Sequence, residues 1–154
     1  MASSIINFLS PNAVILDLRA ANKQSLLHAL SEQASASTKL PAETIFAELS
    51  KRENLGSTGM GEGVAIPHAT YSGLSTTFGL VARVKPPVDF EAIDGKPVDL
   101  VFLLLTPASG EKTHLNALAA ISRRLRNREI TEKLRTSADA AAFYNLMVDE
   151  KRCA

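Results

Sequence analysis

His68 is the residue of this sequence whose surroundings most favour chemistry. It follows a segment, GSTGMGEG, in which four glycines fall within residues 56–63, and VAIP separates that segment from the histidine. Glycines permit positive φ and a close backbone approach, so the amides of such a segment can turn toward one anion. Pro67 fixes its own φ and restricts Ile66, which would hold the imidazole at a rigid strand end. The pattern is typical of a nucleophilic histidine, and a purely structural loop histidine stays as the alternative.

Two further side chains could act with His68. His114 begins a predicted helix over 115–126, where the positive helix end disfavours imidazolium and leaves a neutral ring that donates one hydrogen bond. Arg52 lies on the apolar side of a predicted helix near its C-terminus, where its planar guanidinium could bind a phosphoryl group. Simpler roles stay open for both: His114 could be a partly buried histidine that caps its helix, and Arg52 could be a cation that interacts favourably with the helix dipole. The third histidine, His28, is expected to be exposed and without function.

The spacing of these residues argues against several familiar sites. The glycine-rich segment lacks the Gly-Lys-Ser/Thr end of a Walker loop, and no helix follows it directly as in a Rossmann GxGxxG turn, so a nucleotide site is not expected. A metal-dependent hydrolase could use His68, His114 and an acid such as Glu62 or Asp94, but the sequence has no HExxH and no closely spaced pair of ligands. We therefore expect neither a metal ion nor another cofactor.

Two amphipathic segments before the glycine-rich loop predict helices. Asn22 can cap the first, and the second is expected to open at Pro41, where a missing amide costs little, and to end near Glu53. The apolar positions expected to face the core are Leu26, Leu27, Leu30, Ala34, Ile45, Phe46 and Leu49.

Three strands should follow, over 63–66, 78–84 and 98–106. We expect the first to stop at Pro67 and the second at the Pro-Pro pair that begins with Pro86. The third is apolar on both alternating faces, which is typical of a central strand covered by helices on each side. This strand predicts a layered α/β fold.

A helical pattern returns after Pro107. The apolar stripe of the first helix consists of Leu115, Leu118, Ala119, Ser122 and Leu125. One or two further helices are expected to place in the core Ile130, Leu134, Phe143, Leu146 and Met147. The predicted order of elements is therefore helices, strands and again helices.

Length and composition fit one globular domain. The chain has 154 residues, enough to bury about 70% of the surface that the unfolded chain exposes, and we expect a single domain over 1–154 with an ordered core over about 5–149. The net charge of +1 gives no default attraction to nucleic acid or to a membrane surface. No segment approaches the roughly 20 apolar residues of a membrane-spanning helix, and the N-terminus does not resemble a secretory signal. We expect a cytoplasmic protein without membrane insertion, and Cys153, the only cysteine, excludes an internal disulfide.

Six segments are informative when they are taken together. They are Arg52-Glu53, Gly56-Ser57-Thr58-Gly59, Gly61, Gly63-Val-Ala-Ile-Pro-His68, Val98-Asp-Leu and Lys112-Thr-His114-Leu. In this order they resemble the mannitol/fructose-type IIA domain (EIIA type 2) of the bacterial phosphotransferase system, and most of all its nitrogen-regulatory members. The resemblance covers nearly the whole chain, and the joint occurrence of the segments is highly specific.

The resemblance implies a phosphohistidine carrier, in which His68 accepts a phosphoryl group from a small histidine-phosphorylated HPr-like (NPr-like) protein. It assigns His114 and Arg52 to the phosphoryl site, and it implies a mixed, mostly parallel sheet with helices on both faces. No cofactor is needed within the chain. The further groups expected to complete the phosphoryl cradle are backbone amides or hydroxyls of Ser57, Thr58 and Gly59.

The output of such a carrier is a separate question. Because no IIB or IIC segment accompanies the domain, we expect phosphorylation to regulate partner proteins of nitrogen, potassium or carbon metabolism, such as a sensor kinase or a potassium transporter. The alternatives are a sugar-specific IIA component that passes phosphate to a IIB domain, and a non-catalytic interaction module. Such a module would dock through a basic cluster near a helix end, formed by Arg123, Arg124, Arg126 and Arg128. Glu62 is expected to face solvent, because an acid that pointed at a phosphoryl group would repel it.

Overall fold

The computed structural model describes residues 4–149, which form a six-stranded mixed sheet and the helices around it; Cys153 lies outside these residues. The strands are β1 (Leu9–Leu18), β2 (Gly59–Gly61), β3 (Val64–Ala65), β4 (His68–Tyr71), β5 (Phe78–Val88) and β6 (Val98–Pro107). The helices are α1 (Lys23–Thr38), α2 (Ala42–Asn54), α3 (Glu111–Leu125), α4 (Arg128–Thr136) and α5 (Ala140–Val148), and a 3-10 turn covers Ile5–Asn7.

β6 lies at the centre of the sheet, as its apolar sequence predicts. It pairs antiparallel with β5 and parallel with both β3 and β4, and β1 pairs parallel with β5. Residues 100–106 of β6 are all buried. Burial at consecutive positions of a strand requires cover on both faces of the sheet. The predicted layered α/β fold, with a mixed, mostly parallel sheet and helices on both faces, is therefore confirmed.

β1 precedes the N-terminal helices, so the predicted order of helices, strands and helices is wrong. The strand lies at one edge of the sheet, and its register with β5 is irregular between Leu9 and Val14. Of its ten residues only Leu9 and Ala13 are buried. An irregular edge strand lacks the strict apolar alternation by which a strand is recognised from sequence.

The two predicted helices before the glycine-rich loop are confirmed. Asn22 caps α1, because its side chain accepts the Ser25 amide at 2.9 Å while the Ser25 hydroxyl accepts the Asn22 amide at 3.1 Å. α2 starts directly after Pro41 and ends one residue past Glu53. His28 is exposed as expected, and it stacks on Phe46 with 3.6 Å between ring centroids, which leaves Phe46 partly buried rather than in the core.

The predicted strand end before Pro67 is confirmed, because β3 ends at Ala65, but the predicted strand end at Pro86 is wrong. Pro67 separates β3 from β4, but both strands pair with β6, and the Pro67 carbonyl accepts the Leu104 amide at 3.0 Å. A proline lacks only the donor, so the ladder is interrupted for a short stretch and then continues. β5 also continues past Pro86, which falls in an irregularity of the β5–β6 register. His68 therefore begins a strand, and the unpredicted β2 pairs antiparallel with β3 just before it.

α3 begins at Glu111, so His114 lies in its first turn, and the predicted apolar stripe is only partly correct: Leu125 is buried and Leu118 partly buried, but the two other apolar positions are not. Leu115 is 60% exposed and Ala119 is also exposed. The buried positions are Ala117, Ala120, Ile121, Arg124 and Leu125. The small alanine side chains on this face let α3 pack closely on β6. A prediction based on the positions of the large apolar residues does not detect such a face.

The C-terminal pattern is confirmed as two helices, α4 and α5. Ile130, Leu134, Phe143 and Met147 are buried, and Leu146 is partly buried. Within residues 4–149, no helix combines the length and the apolar character that crossing a membrane requires.

Candidate functional site

Arg52, His68 and His114 meet in one open cavity of about 330 Å³, although they belong to three different elements. Arg52 comes from the last turn of α2, His68 from the first residue of β4 and His114 from the first turn of α3. The remaining lining residues are Glu48, Lys51, Leu55, Ala69 and Thr70. The structure thus brings together the three residues that the sequence singles out for phosphoryl chemistry.

The His68 ring is fixed by hydrogen bonds on both of its nitrogens. Nδ1 lies 2.7 Å from the Ile66 carbonyl oxygen, which can only accept, so Nδ1 carries the proton. Nε2 then keeps its lone pair, and Arg52 Nε donates to it at 3.3 Å. The nucleophilic atom of this imidazole is therefore Nε2, and it faces the guanidinium.

Arg52 holds its place through the backbone beyond its own helix. Its Nη1 donates to the Gly56 carbonyl at 3.0 Å, just past the C-terminus of α2. Cations are favoured at this end of a helix, so Arg52 both answers the helix dipole and reaches the histidine. The two roles that the sequence leaves as alternatives occur together.

The orientation of His114 follows from a buried hydroxyl. Thr106 on β6 is fully buried, and its Oγ1 lies 2.6 Å from His114 Nδ1. No other hydrogen bond of this hydroxyl is found among residues 4–149, so its proton is directed at Nδ1. His114 is then protonated on Nε2, which remains as a donor, and its ring centroid lies 5.4 Å from that of His68.

Both imidazoles are tuned toward the neutral form. Burial lowers the pKa of His68, and the Arg52 charge acts in the same direction, whereas the Ile66 carbonyl and Glu53 oppose the shift. Burial also lowers the pKa of His114, and His68 adds to that effect. At neutral pH His68 therefore offers the lone pair of its Nε2 to the cavity, and His114 offers its Nε2–H as a donor.

Glu53 and Lys23 support this site from within, and sequence reasoning assigns them no role. Glu53 is 8% exposed, and it accepts the amide of Thr58 at 3.0 Å and also the Thr58 hydroxyl. Lys23 Nζ lies 3.0 Å from the same carboxylate. The carboxylate thereby ties the end of α2 to the loop that follows it. The sequence feature that could have revealed the role of Glu53 is its position as an acidic residue on the buried side of an amphipathic helix, close to the helix end.

The structure does not bring Ser57, Thr58 and Gly59 to the wall of the His68 cavity. The Ser57 hydroxyl donates to the Phe90 carbonyl at 2.7 Å and accepts the Gly59 amide at 3.0 Å. A Cβ at Gly59 would lie 2.8 Å from the Cβ of Ala92, so this position requires glycine. These residues build and anchor the loop, and their binding of a phosphoryl group stays a prediction.

Glu62 faces solvent, as expected. Its carboxylate lies 3.2 Å from Arg128 Nη2 and 3.7 Å from Lys96 Nζ. Within residues 4–149 no three histidine, cysteine or acidic side chains are grouped as a metal site. The Arg52 guanidinium and the His114 ring supply N–H donors to the cavity around His68, and such donors can hold an anionic group.

Comparison with known proteins places this α/β fold in a family. The family model for the phosphoenolpyruvate-dependent sugar phosphotransferase system, EIIA 2, matches residues 7–150. The chain therefore belongs to the EIIA type 2 family of the phosphotransferase system. It is 44% identical over 143 residues to a nitrogen regulatory protein of Bradyrhizobium diazoefficiens, covering 93% of this chain and 94% of that one.

Two further similarities agree. A nitrogen regulatory protein of Pseudomonas aeruginosa is 37% identical over 142 residues, which cover 92% of each chain. The crystal structure of the nitrogen regulatory protein IIA-Ntr from Neisseria meningitidis superposes with a TM-score of 0.88 at 33% identity, covering 92% of this chain and 97% of that one. The resemblance inferred from the six sequence segments is confirmed.

Proposed function

We propose that this chain is a phosphohistidine carrier and that Nε2 of His68 is the atom that is phosphorylated. One observation carries the proposal: the Ile66 carbonyl holds the proton on Nδ1, so the lone pair of Nε2 opens onto the cavity beside Arg52. The lowered pKa of His68 favours the neutral ring that a nucleophile needs. Membership of the EIIA type 2 family supports the same chemistry.

In the transfer step, Nε2 attacks phosphorus as the P–N bond of the donor histidine breaks, and the leaving ring of the donor keeps that electron pair. The His68 ring becomes positively charged, because its Nδ1 proton stays in place. The Ile66 carbonyl, 2.7 Å away, stabilises this charge. A cationic ring is a better leaving group than a neutral one, which keeps the phosphoryl group ready for the next transfer.

Arg52 and His114 are positioned to stabilise the transferred group. Once the Nε2 lone pair forms the bond to phosphorus, the Arg52 N–H that pointed at it is free to bond to a phosphoryl oxygen. The Nε2–H of His114 supplies a second donor from the other side of the cavity. Phosphoryl transfer depends mostly on such positioning and charge stabilisation.

A protein partner is the donor in this proposal, specifically an HPr-like (NPr-like) phosphocarrier. The cavity is open, and Leu55, which lines it, is 83% exposed; Leu115, the next residue after His114 on α3, is 60% exposed. Exposed apolar side chains around a reactive group are typical of a surface that docks another protein.

We propose that the output is regulatory and that the protein acts in the cytoplasm. The relatives that match this chain over nearly their full length are named nitrogen regulatory proteins. The phosphoryl oxygens carry a charge of roughly −2 and the ring a charge of +1, so the surface becomes more negative by about one unit, enough to change a contact with a sensor kinase or a potassium transporter without refolding. The second candidate, transfer to a sugar-specific IIB domain, is favoured by the sugar phosphotransferase family to which the chain belongs.

The test is labelling by a phosphorylated HPr-like carrier. Wild type should acquire acid-labile, base-stable phosphate and His68→Ala none, while His28→Ala, which changes an exposed histidine on α1, should label normally. Label on His68→Ala would overturn the assignment, and binding of the carrier without labelling of wild type would leave an interaction module. Recovery of a sugar-specific IIB protein as the main phosphate acceptor would overturn the regulatory output.

A further inference from the structure

A second cavity, of about 730 Å³, shares no lining residue with the cavity around His68. It lies between the β2–β3 turn, the C-terminal end of α3 and helix α4. Its lining residues are Met60, Gly61, Glu62, Leu125, Arg126, Arg128, Thr131, Glu132 and Arg135. Its volume falls in the range of small-molecule sites, and nothing in the proposed transfer chemistry uses it.

Only some arginines of the basic cluster that the sequence places near the end of α3 line this cavity. Arg124 is 2% exposed, and its Nε donates to the Met147 carbonyl at 3.2 Å, so it binds the last turn of α5. Arg123 is exposed and does not line the cavity, whereas Arg126 and Arg128 do. Arg135, from the end of α4, adds a third guanidinium to the lining.

The three lining guanidinium groups keep unused hydrogen-bond donors. Within residues 4–149, Arg126 bonds only to Ser122 Oγ of its own helix, at 3.1 and 2.8 Å, and to no carboxylate. Arg128 uses Nη2 alone, to Glu62. Arg135 uses Nε and Nη2, so its Nη1 remains. A guanidinium carries five N–H donors in a planar fork that matches carboxylate and phosphate oxygens.

The charge of the lining favours an anion. Three arginines stand against two glutamates. From outside the lining, Lys96 shares Glu62 and Asp99 pairs with Arg135 at 2.9 Å, so these two charges offset each other and the excess of positive charge remains. Met60 is partly buried and Leu125 buried, so the wall also offers apolar surface. We propose that this cavity, hereafter the arginine cavity, binds a small dianion, either a dicarboxylate with a short carbon chain or a phosphate.

The β2–β3 turn provides a reporter for binding. Arg135 Nη2 donates to the Glu62 carbonyl at 2.7 Å, and a Cβ on Gly63 would lie 2.6 Å from the same nitrogen. The Gly63 carbonyl in turn accepts the amides of Asp99 and Leu100, each at 3.0 Å. A ligand bound to Nη1 of Arg135 would lie beside this closely packed turn, so the amide resonances of the turn should respond.

The test is a titration monitored by NMR, with succinate and inorganic phosphate as separate dianion arms and acetate as the monoanion control at constant ionic strength. Saturable shifts of the Gly61 and Gly63 amides are expected for at least one dianion below about 10 mM. Whether succinate or phosphate binds more tightly identifies the source of the charge. Because phosphate can also approach Arg52, only these two amides count as evidence for the arginine cavity.

Three charge-neutralising variants make the test specific. Arg126→Gln and Arg128→Gln should each weaken binding by about fivefold or more, the loss of one charge-assisted hydrogen bond. Arg123→Gln removes the same charge from the same region outside the cavity and should leave binding within about twofold. All three residues are exposed, so unchanged thermal midpoints are expected. Absence of saturation with both dianions, or equal weakening by Arg123→Gln, would overturn the proposal.

Discussion

The carboxylate of Glu53 offers a decisive test of how the site is held together. Glu53→Gln keeps the shape of the side chain and leaves one oxygen to accept the Thr58 amide, but it removes the anion from beside Lys23. The side chains of Lys23 and Glu53 are 14% and 5% exposed, so the ammonium would be left in a poorly solvated place. Lys23 retains Glu91 at 3.3 Å and the Phe90 ring at 4.7 Å.

The expected cost follows from these contacts. Removing one partner of a buried ion pair costs about 3–5 kcal/mol, because the other charge stays buried and uncompensated. The remaining contacts of Lys23 with the exposed Glu91 and with the Phe90 ring reduce this figure, so we expect a loss of about 2–3 kcal/mol in the free energy of unfolding. For a chain of this size, that loss corresponds to a decrease of about 5–10 °C in the melting temperature.

Urea unfolding of four proteins measures the effect: wild type, Glu53→Gln, Lys23→Met and the double variant. Because the two charges act as a pair, the double variant should lose clearly less stability than the sum of the single losses. Glu48→Gln is the matched control, since Glu48 lies on the same helix and pairs at 3.5 Å with the exposed Lys51, and it should cost about 0.5 kcal/mol or less. A loss below about 1 kcal/mol for Glu53→Gln, or additive losses in the double variant, would refute the reasoning.

Glu53→Gln has a second, independent readout at His68. The charge of Glu53 raises the pKa of His68 against the larger effect of burial, so its removal should lower that pKa further. An NMR titration of the His68 ring follows the shift directly. A raised pKa in the variant would contradict the assigned electrostatics whatever the stability data show.

Three further outcomes are expected. Burial lowers the pKa of His68 and of His114 in the folded protein. As the pH falls below the ordinary value of 6.5, the unfolded chain therefore binds protons before the folded one does. The free energy of unfolding should decrease with falling pH until the pH has passed the lowered pKa values of the folded protein. His68→Gln should flatten this decrease in urea unfolding at a series of pH values, and equal curves for both proteins would contradict it. Thr106→Val removes the hydroxyl that fixes the His114 tautomer and should slow phosphorylation about tenfold; an unchanged rate together with an unchanged 15N tautomer signature of the ring would count against that role. Gly63→Ala places a Cβ at a residue with a φ of +81° and 2.6 Å from a guanidinium nitrogen of α4, so it should destabilise the protein by about 2–3 kcal/mol. Gly95→Ala is the control, because its φ is +74° but its Cβ would meet no other atom, and it should cost about 1 kcal/mol. Equal losses in thermal unfolding would exclude a contribution from the clash with the guanidinium.

Local patterns account for the part of the fold that was predicted. The Asn22 cap and the apolar continuity of β6 are written in neighbouring residues, so both could be recognised without knowledge of the tertiary structure. β1 could not, because its irregular register is set by β5, far along the chain. The face of α3 was misjudged for a similar reason: Ala117 and Ala120 are buried by close approach to β6, whereas Leu115 points outward.

The same division holds for the site. His68, His114 and Arg52 could be found because their side-chain chemistry is rare and their local settings are unusual. Their mutual geometry could not, since it depends on how α2, β4 and α3 converge. Thr106 and Glu53 were missed because a buried polar group is recognised by its partners, and those partners come from other elements or from the loop beyond the helix.

The open shape of the cavity around His68 has a kinetic consequence for the proposed carrier. Arg52, His68 and His114 share one entrance, so the protein that delivers the phosphoryl group and the protein that receives it must occupy the same surface in turn. Loading and unloading would then follow ping-pong kinetics, and an excess of unphosphorylated recipient would slow its own supply by competing with the donor.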